Sequence, residues 1–194
     1  MSGNSPKLIL ASASPRRLDL LAQIGVTPNA ILPADINEEA IEEELPRGHA
    51  LRLAQEKAIK IAGDNSGAII LAADTVVGVG RRILPKTETP EQARKCLELM
   101  SGRGHRVFTG VALVKPGGDI VSRVVETRLK MKRLSSAEID SYLSSEEWQG
   151  KAGGYGIQGR AGAFISNIIG SYTNVVGLPL FETRNLLLGA GYEL

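Results

Sequence analysis

Leu8-Ile9-Leu10-Ala11-Ser12-Ala13-Ser14-Pro15-Arg16-Arg17 runs from a short apolar strand into the start of a helix. Ser14 suits an N-cap, and Pro15 then falls at the first helical position, where its missing N–H costs nothing. Leu18, Leu21 and Ala22 recur at helical spacing, and Gly25 is a natural stop. Arg16 and Arg17 therefore sit in the first turn. There their charge opposes the helix dipole, which is unfavourable unless an anion binds. Free N–H groups and two guanidinium groups at one helix start suit phosphate oxygens. Taken alone, the same stretch also reads as a solvated first turn.

Working outward, the rest of the chain alternates strands and helices. Ala30–Pro33 reads as a short strand, and Asp35–Glu44 as an acidic loop or helix face. Roughly Gly48–Ala62 is a helix. Ala68–Ala73 is a continuous apolar run, typical of a strand buried on both faces, and it ends on Asp74. Val76–Leu84 reads as a hairpin. Thr89 with Gln92, and Ser135 with Glu138, are capping boxes that open helices to Met100 and about Leu143. Two long strand patterns, Arg106–Lys115 and Ile120–Lys132, flank a turn. A glycine-rich loop, a strand near Ala163–Ile169 and a helix from about Pro179 to Gly189 complete the chain. The class is α/β or α+β with a mixed sheet, in one domain over residues 1–194.

Composition removes several classes. The 194 residues are 43% hydrophobic and 23% charged, enough for a substantial core. The 23 basic and 21 acidic residues are too balanced for a nucleic-acid surface. The single cysteine, Cys96, allows no internal disulfide or zinc cluster and reads as core. With two histidines, His49 and His105, any metal belongs on carboxylates. Met1–Lys7 has no apolar segment of signal-peptide length, and no run is long enough to span a bilayer. No membrane partner is expected, and the cytoplasm is the expected location.

Asp74 is the leading candidate for chemistry, because open α/β sheets place their sites at strand ends. It could bind a divalent metal, act as general base, or hold a water through that metal. Thr75 adds a hydroxyl. Lys57 adjoins the apolar face of its helix, and Lys86 follows the hairpin. Both could neutralise phosphate charge, although each alone also reads as a surface lysine with a packed stem. Glu38 is the residue of the acidic stretch most suited to a metal. Gly154-x-Gly156-x-x-Gly159 matches the spacing of the dinucleotide fingerprint, but no strand precedes it and no helix follows. An NAD-dependent oxidoreductase is rejected on that context. The glycines instead bring backbone and Gln158 close to a ligand, and the Gln158 amide could read the edge of a base.

Taken together these segments resemble the Maf family of nucleoside triphosphate pyrophosphatases. The matching pieces are Leu10–Arg17, Leu53–Ala58, Ala73–Val77, Lys86, Lys151–Gly159, Gly170–Tyr172 and Val176–Leu180, in family order and over nearly the whole chain. The resemblance implies a curved mixed β-sheet flanked by helices, with an ITPase-like cleft between two lobes. It implies hydrolysis of a nucleoside triphosphate to the monophosphate and pyrophosphate, with a divalent cation (Mg²⁺, Mn²⁺ or Co²⁺). By position, Asp74 is the base or metal-linked activator of water, with Lys57 and Lys86 beside it. Ser12, Arg17, Lys57 and Lys86 hold the phosphates, Ser14 also meets the substrate, and Glu38 helps hold the metal. Asn37 stands where the family often has an Asp. Arg16, Thr75 and Gln158 match the branch acting on dTTP and UTP. The alternatives are the sister branch acting on 7-methyl-GTP, or a nucleotide-binding regulator of septum formation with little turnover. A homodimer is a further implication of the resemblance.

Overall fold

The computed structural model describes residues 6–194. Residues 1–5, most of the polar start read above, lie outside the described residues. The elements in order are β1 (Leu8–Leu10), α1 (Pro15–Gln23), β2 (Ala30–Ile31), α2 (Pro46–Ala62), β3 (Ile69–Val79) and β4 (Arg82–Leu84). There follow α3 (Pro90–Met100), β5 (Gly104–Val114), β6 (Ile120–Met131), α4 (Ser136–Leu143), a 3-10 turn (Arg160–Phe164) and β7 (Ile165–Ile169). Two helices, α5 (Tyr172–Val176) and α6 (Leu180–Gly189), end the described chain.

The strands form one open mixed sheet in the order β2-β1-β3-β5-β6-β7, with β4 beside the far end of β3. β1 lies parallel to both β2 and β3, while β3 with β5, β5 with β6, and β6 with β7 pair antiparallel. Side chains alternate between faces, as they must in a strand. Leu8, Leu10, Ile69, Leu71 and Ala73 join the core under α1, α3, α4 and α6. Ile9, Ile70 and Ala72 pack instead with Ala54 and Ala58 of α2. One helix thus covers one face, and the other helices cover the opposite face.

The acidic stretch is loop, one of the two readings given above. One sequence expectation changes here. Asp74 does not end its strand, because β3 continues to Val79. The apolar run stops at Ala73, yet the ladder with β5 continues from Ile70 through Gly78. Hydropathy marked the end of the apolar run, not the end of the strand, and Asp74, Val76 and Val77 beyond it are buried as well.

That extension creates the cleft. β1 pairs with β3 only over Ile69–Leu71, and β4 only over Val77–Val79. Residues 72–76 of β3 have no strand partner on that edge. Asp74 lies in this gap, beyond the carboxyl end of the parallel strand β1. The switch-point argument therefore holds for β1, not for β3. Gly110, opposite Asp74 in the ladder, lets α2 lie close against the sheet. A Cβ there would lie 2.1 Å from the carbonyl oxygen of Ala50.

Candidate active site

A cavity of about 660 Å³ opens at the gap in β3. All ten of the residues singled out above line it: Ser12, Ser14, Arg16, Arg17, Glu38, Lys57, Asp74, Thr75, Lys86 and Gln158. They come from the loop after β1, the first turn of α1, the acidic loop, α2, β3, the segment after β4 and the glycine-rich loop.

On the α2 side, Lys57 is buried, which removes its reading as a surface lysine. Leu53, Ala54, Lys57 and Ala58 share the inward stripe of α2, and the stem of Lys57 follows that stripe to the gap. Its Nζ donates to Asp74 Oδ1 at 2.6 Å and lies 2.5 Å from Glu38 Oε1. Lys86, half-exposed, donates to the other oxygen of Glu38. Burial pushes the Glu38 carboxyl up, but hydrogen bonds from Lys57 and Lys86 outweigh it and leave the pKa at about 2.

The acidic loop is tethered to deliver Glu38. Arg52 Nη2 donates to the Glu39 carbonyl at 2.9 Å, and Nε and Nη2 grip both oxygens of Glu44 at 2.8 Å. Asn37 Oδ1 accepts from the Glu39 N–H at 2.9 Å, forming a local turn rather than presenting a ligand.

On the opposite face, Arg17 Nη1 donates to Ser12 Oγ at 2.9 Å, Nη2 to Thr75 Oγ1 at 3.3 Å, and Nε to the Gly177 carbonyl at 2.8 Å. Thr75 Oγ1 is 3.0 Å from Thr109 Oγ1, which donates to the Asn174 carbonyl at 2.9 Å. Burial lowers the Arg17 pKa, with the Asp74 charge working the other way. Arg17 remains a cation. Asp74 and Thr75, adjacent in sequence, thus serve opposite faces of the sheet, and the gap in the edge joins both to one cavity.

Ser14 occupies the N-cap position, but its side chain makes no capping bond. Its own N–H donates instead to Ser12 Oγ at 3.2 Å. The hydroxyl expected to close the helix start is Ser12's neighbour in the cavity wall, and the N-cap reading holds in backbone position only.

The glycine-rich segment is a chain of turns, as the rejection of a dinucleotide-binding unit requires. It is fastened to the segment carrying Lys86. Thr87 N–H donates to the Lys151 carbonyl at 3.1 Å, and Gly150 N–H to the Thr87 carbonyl at 2.8 Å. Gly153 and Gly154 hold positive φ (68° and 69°), and a Cβ on either would press on Val77 or Ala93. Gln158 is exposed on the cavity rim.

Several lining residues escaped the sequence reading. Lys151 was visible only as part of the glycine motif. Tyr155 is buried and hydrogen-bonded to His105 at 2.7 Å. Gly177 ends α5, a helix of 5 residues, too short to show a helical period. Its signal was local: Ser171 as N-cap, accepting from Asn174 N–H at 3.2 Å.

Two carboxylates, Glu38 and Asp74, converge on the same ammonium, an oxygen set of the kind hard divalent cations use. Among the described residues no three acidic, His or Cys side chains gather to hold a metal alone. The donors fit a cation whose remaining ligands come from a phosphorylated substrate and water. No helix among the described residues is long and apolar enough to cross a membrane.

The profile of the Maf-like protein family matches residues 7–190. A dTTP/UTP pyrophosphatase of Maricaulis maris is 65% identical over 189 residues, covering 97% of this chain and 90% of that protein. A dTTP/UTP pyrophosphatase of Caulobacter vibrioides is 62% identical over 188 residues, covering 97% of each. The solved structure of a HAM1 protein from Coxiella burnetii superposes with a TM-score of 0.52 at 16% identity, covering 95% of this chain and 100% of that one. This last likeness is one of fold.

Proposed function

The chain belongs to the Maf-like protein family, and from that premise we propose that it hydrolyses dTTP and UTP to the monophosphate and pyrophosphate. The observation that carries the reaction is the Lys57 ammonium held between Asp74 and Glu38 in a cleft that also presents Arg17 and Ser12. Paired carboxylates and surplus cations are what attack on a charged phosphate needs. The names of the two bacterial relatives supply the substrate pair.

In this reading Asp74 accepts a proton from a water molecule. The water oxygen forms a bond to the α-phosphorus, and the bond from that phosphorus to the α–β bridging oxygen breaks. Pyrophosphate leaves with the electron pair. Lys57 orients Asp74, while Lys86 and Arg17 neutralise charge on the phosphates. Ser12 and Ser14 present hydroxyls and backbone beside them. Glu38 and Asp74 would hold a Mg²⁺, Mn²⁺ or Co²⁺ ion, which when bound supplies charge neutralisation on phosphate oxygens and acidifies water. Arg16, Thr75 and Gln158 discriminate the base, with Gln158 offering both a donor and an acceptor to a pyrimidine edge. The protein acts as one domain, in the cytoplasm.

Hydrolysis of dTTP in ¹⁸O-labelled water tests the bond that breaks. Label in dTMP and none in pyrophosphate agrees with attack at the α-phosphorus. Label in inorganic phosphate, with dTDP as product, contradicts it.

A further inference from the structure

The cations of the cleft divide into two groups. Lys57 is neutralised by Asp74 and Glu38, and Lys86 by Glu38. Arg17 is bound to Ser12, Thr75 and the Gly177 carbonyl. Arg16 and Lys151 also line the cavity, and neither side chain has a hydrogen-bond or ion-pair partner among the described residues. Both are only half-buried, yet they sit close enough to repel each other. Burial first, and then the charge of Arg16, lowers the Lys151 pKa, with the Glu147 carboxylate, which also lines the cavity, working the other way. Two cations that line one cavity with no ion-pair partner leave a place for an anion.

Two features hold Lys151 in place. Its carbonyl accepts from the Thr87 N–H at 3.1 Å, and Ala152 beside it bridges to Lys86. Its stem runs over Gly156, where a Cβ would lie 3.0 Å from Lys151 Cε. The glycine-rich loop therefore fixes an ammonium as well as bringing Gln158 to the rim.

We propose that Lys151 is a substrate-binding residue that grips the β- and γ-phosphates of the nucleotide. The inference rests on the hydrolase reading above and adds to it. The paired centre around Asp74 serves the α-phosphate. The surplus positive charge is left for the part of the substrate that departs as pyrophosphate and carries most of the negative charge.

The test uses calorimetric titration of the full chain with inorganic tripolyphosphate and, separately, with dTMP, both with Mg²⁺ present. Lys151→Gln is expected to weaken tripolyphosphate binding by about tenfold to a hundredfold, the usual range for losing a charged hydrogen bond. dTMP binding is expected to stay within about twofold, and Lys151→Arg to recover most of the loss. Equal tripolyphosphate affinity in wild type and Lys151→Gln, equal weakening of dTMP, or no tripolyphosphate binding by wild type overturns the assignment. Turnover of dTTP by wild type is measured alongside. Its absence counts against the hydrolase reading, whereas turnover with an unchanged Lys151→Gln titration counts against Lys151 alone.

Discussion

The Lys57 ammonium donates to Asp74 Oδ1 at 2.6 Å, a contact between two side chains that are both nearly inaccessible to water. Breaking a buried pair by removing one partner leaves the other charge unpaired. Lys57→Met is expected to cost about 3–5 kcal/mol of stability and to abolish pyrophosphate release. Chemical denaturation and a turnover assay check the two effects together. Full activity in a stable Lys57→Met variant would remove Lys57 from the mechanism.

Gly110 sits across the ladder from Asp74, with the Ala50 carbonyl where a Cβ would go. Backbone cannot rotate aside as a side chain does. Gly110→Ala is expected to push α2 off the sheet, at a cost of about 1–3 kcal/mol or more, and to separate Lys57 from Asp74. Melting temperature and kcat should fall together. A variant as stable and active as wild type would contradict the close approach of α2.

Arg52 has no place in the cavity, yet it ties down the loop that delivers Glu38. Arg52→Ala releases the Glu39 carbonyl and leaves Glu44 without its guanidinium. Misplacing a catalytic group by about 1 Å can cost up to about a hundredfold in rate. The expected result is a large fall in kcat with a small change in KM, and Arg52→Lys should not restore it, because the bidentate grip is lost. An unchanged kcat would show that the loop is held without Arg52.

The pH dependence of stability separates two sets of groups. Burial holds the His105 pKa at about 4, below its ordinary 6.5. The unfolded chain therefore binds a proton that the folded protein refuses, and stability falls as pH drops from about 6.5 to about 4. The loss is on the order of 3 kcal/mol. Glu38 and Glu44 are both held at about 2, so their contribution is present above about 4.5 and is lost only below it, as pH falls toward 2. Denaturant titrations of wild type and His105→Gln at several pH values test this. Curves that stay parallel between pH 6.5 and 4 would contradict it.

Gln158 lies on the rim, where its amide can meet a base edge. Gln158→Glu replaces a neutral amide with a carboxylate, which disfavours pyrimidine carbonyls and suits a positively charged 7-methylguanine. The expected outcome is a lower kcat/KM for dTTP and a higher one for 7-methyl-GTP. The ratio of the two, measured in one assay series, decides it.

Much of this arrangement was legible in the sequence, for identifiable reasons. The capping boxes at Thr89 and Ser135 start α3 and α4 as expected, because a cap is a local pattern. The Leu8–Arg17 stretch gave β1 and α1, because an apolar run followed by Ser-Pro changes period abruptly. The gap in β3 was not legible. It depends on how far β1 and β4 reach along a third strand, and no local signal encodes that. The burial of Lys57 was hidden for a similar reason, since only the partners Asp74 and Glu38 make a buried lysine tolerable. The free state of Lys151 and Arg16 emerges only once every other charge in the cleft has found its partner.

The most direct measurement is pyrophosphate release from dTTP, UTP, CTP, GTP and 7-methyl-GTP, with Mg²⁺ or Mn²⁺, for wild type and Asp74→Asn. The account predicts release from dTTP and UTP above the others, falling by about a hundredfold or more in Asp74→Asn while the melting temperature shows the variant folded. Preference for 7-methyl-GTP would contradict the base assignment. Undiminished release by Asp74→Asn would contradict the role of Asp74, and no release from any nucleotide by folded wild type would contradict the reaction itself.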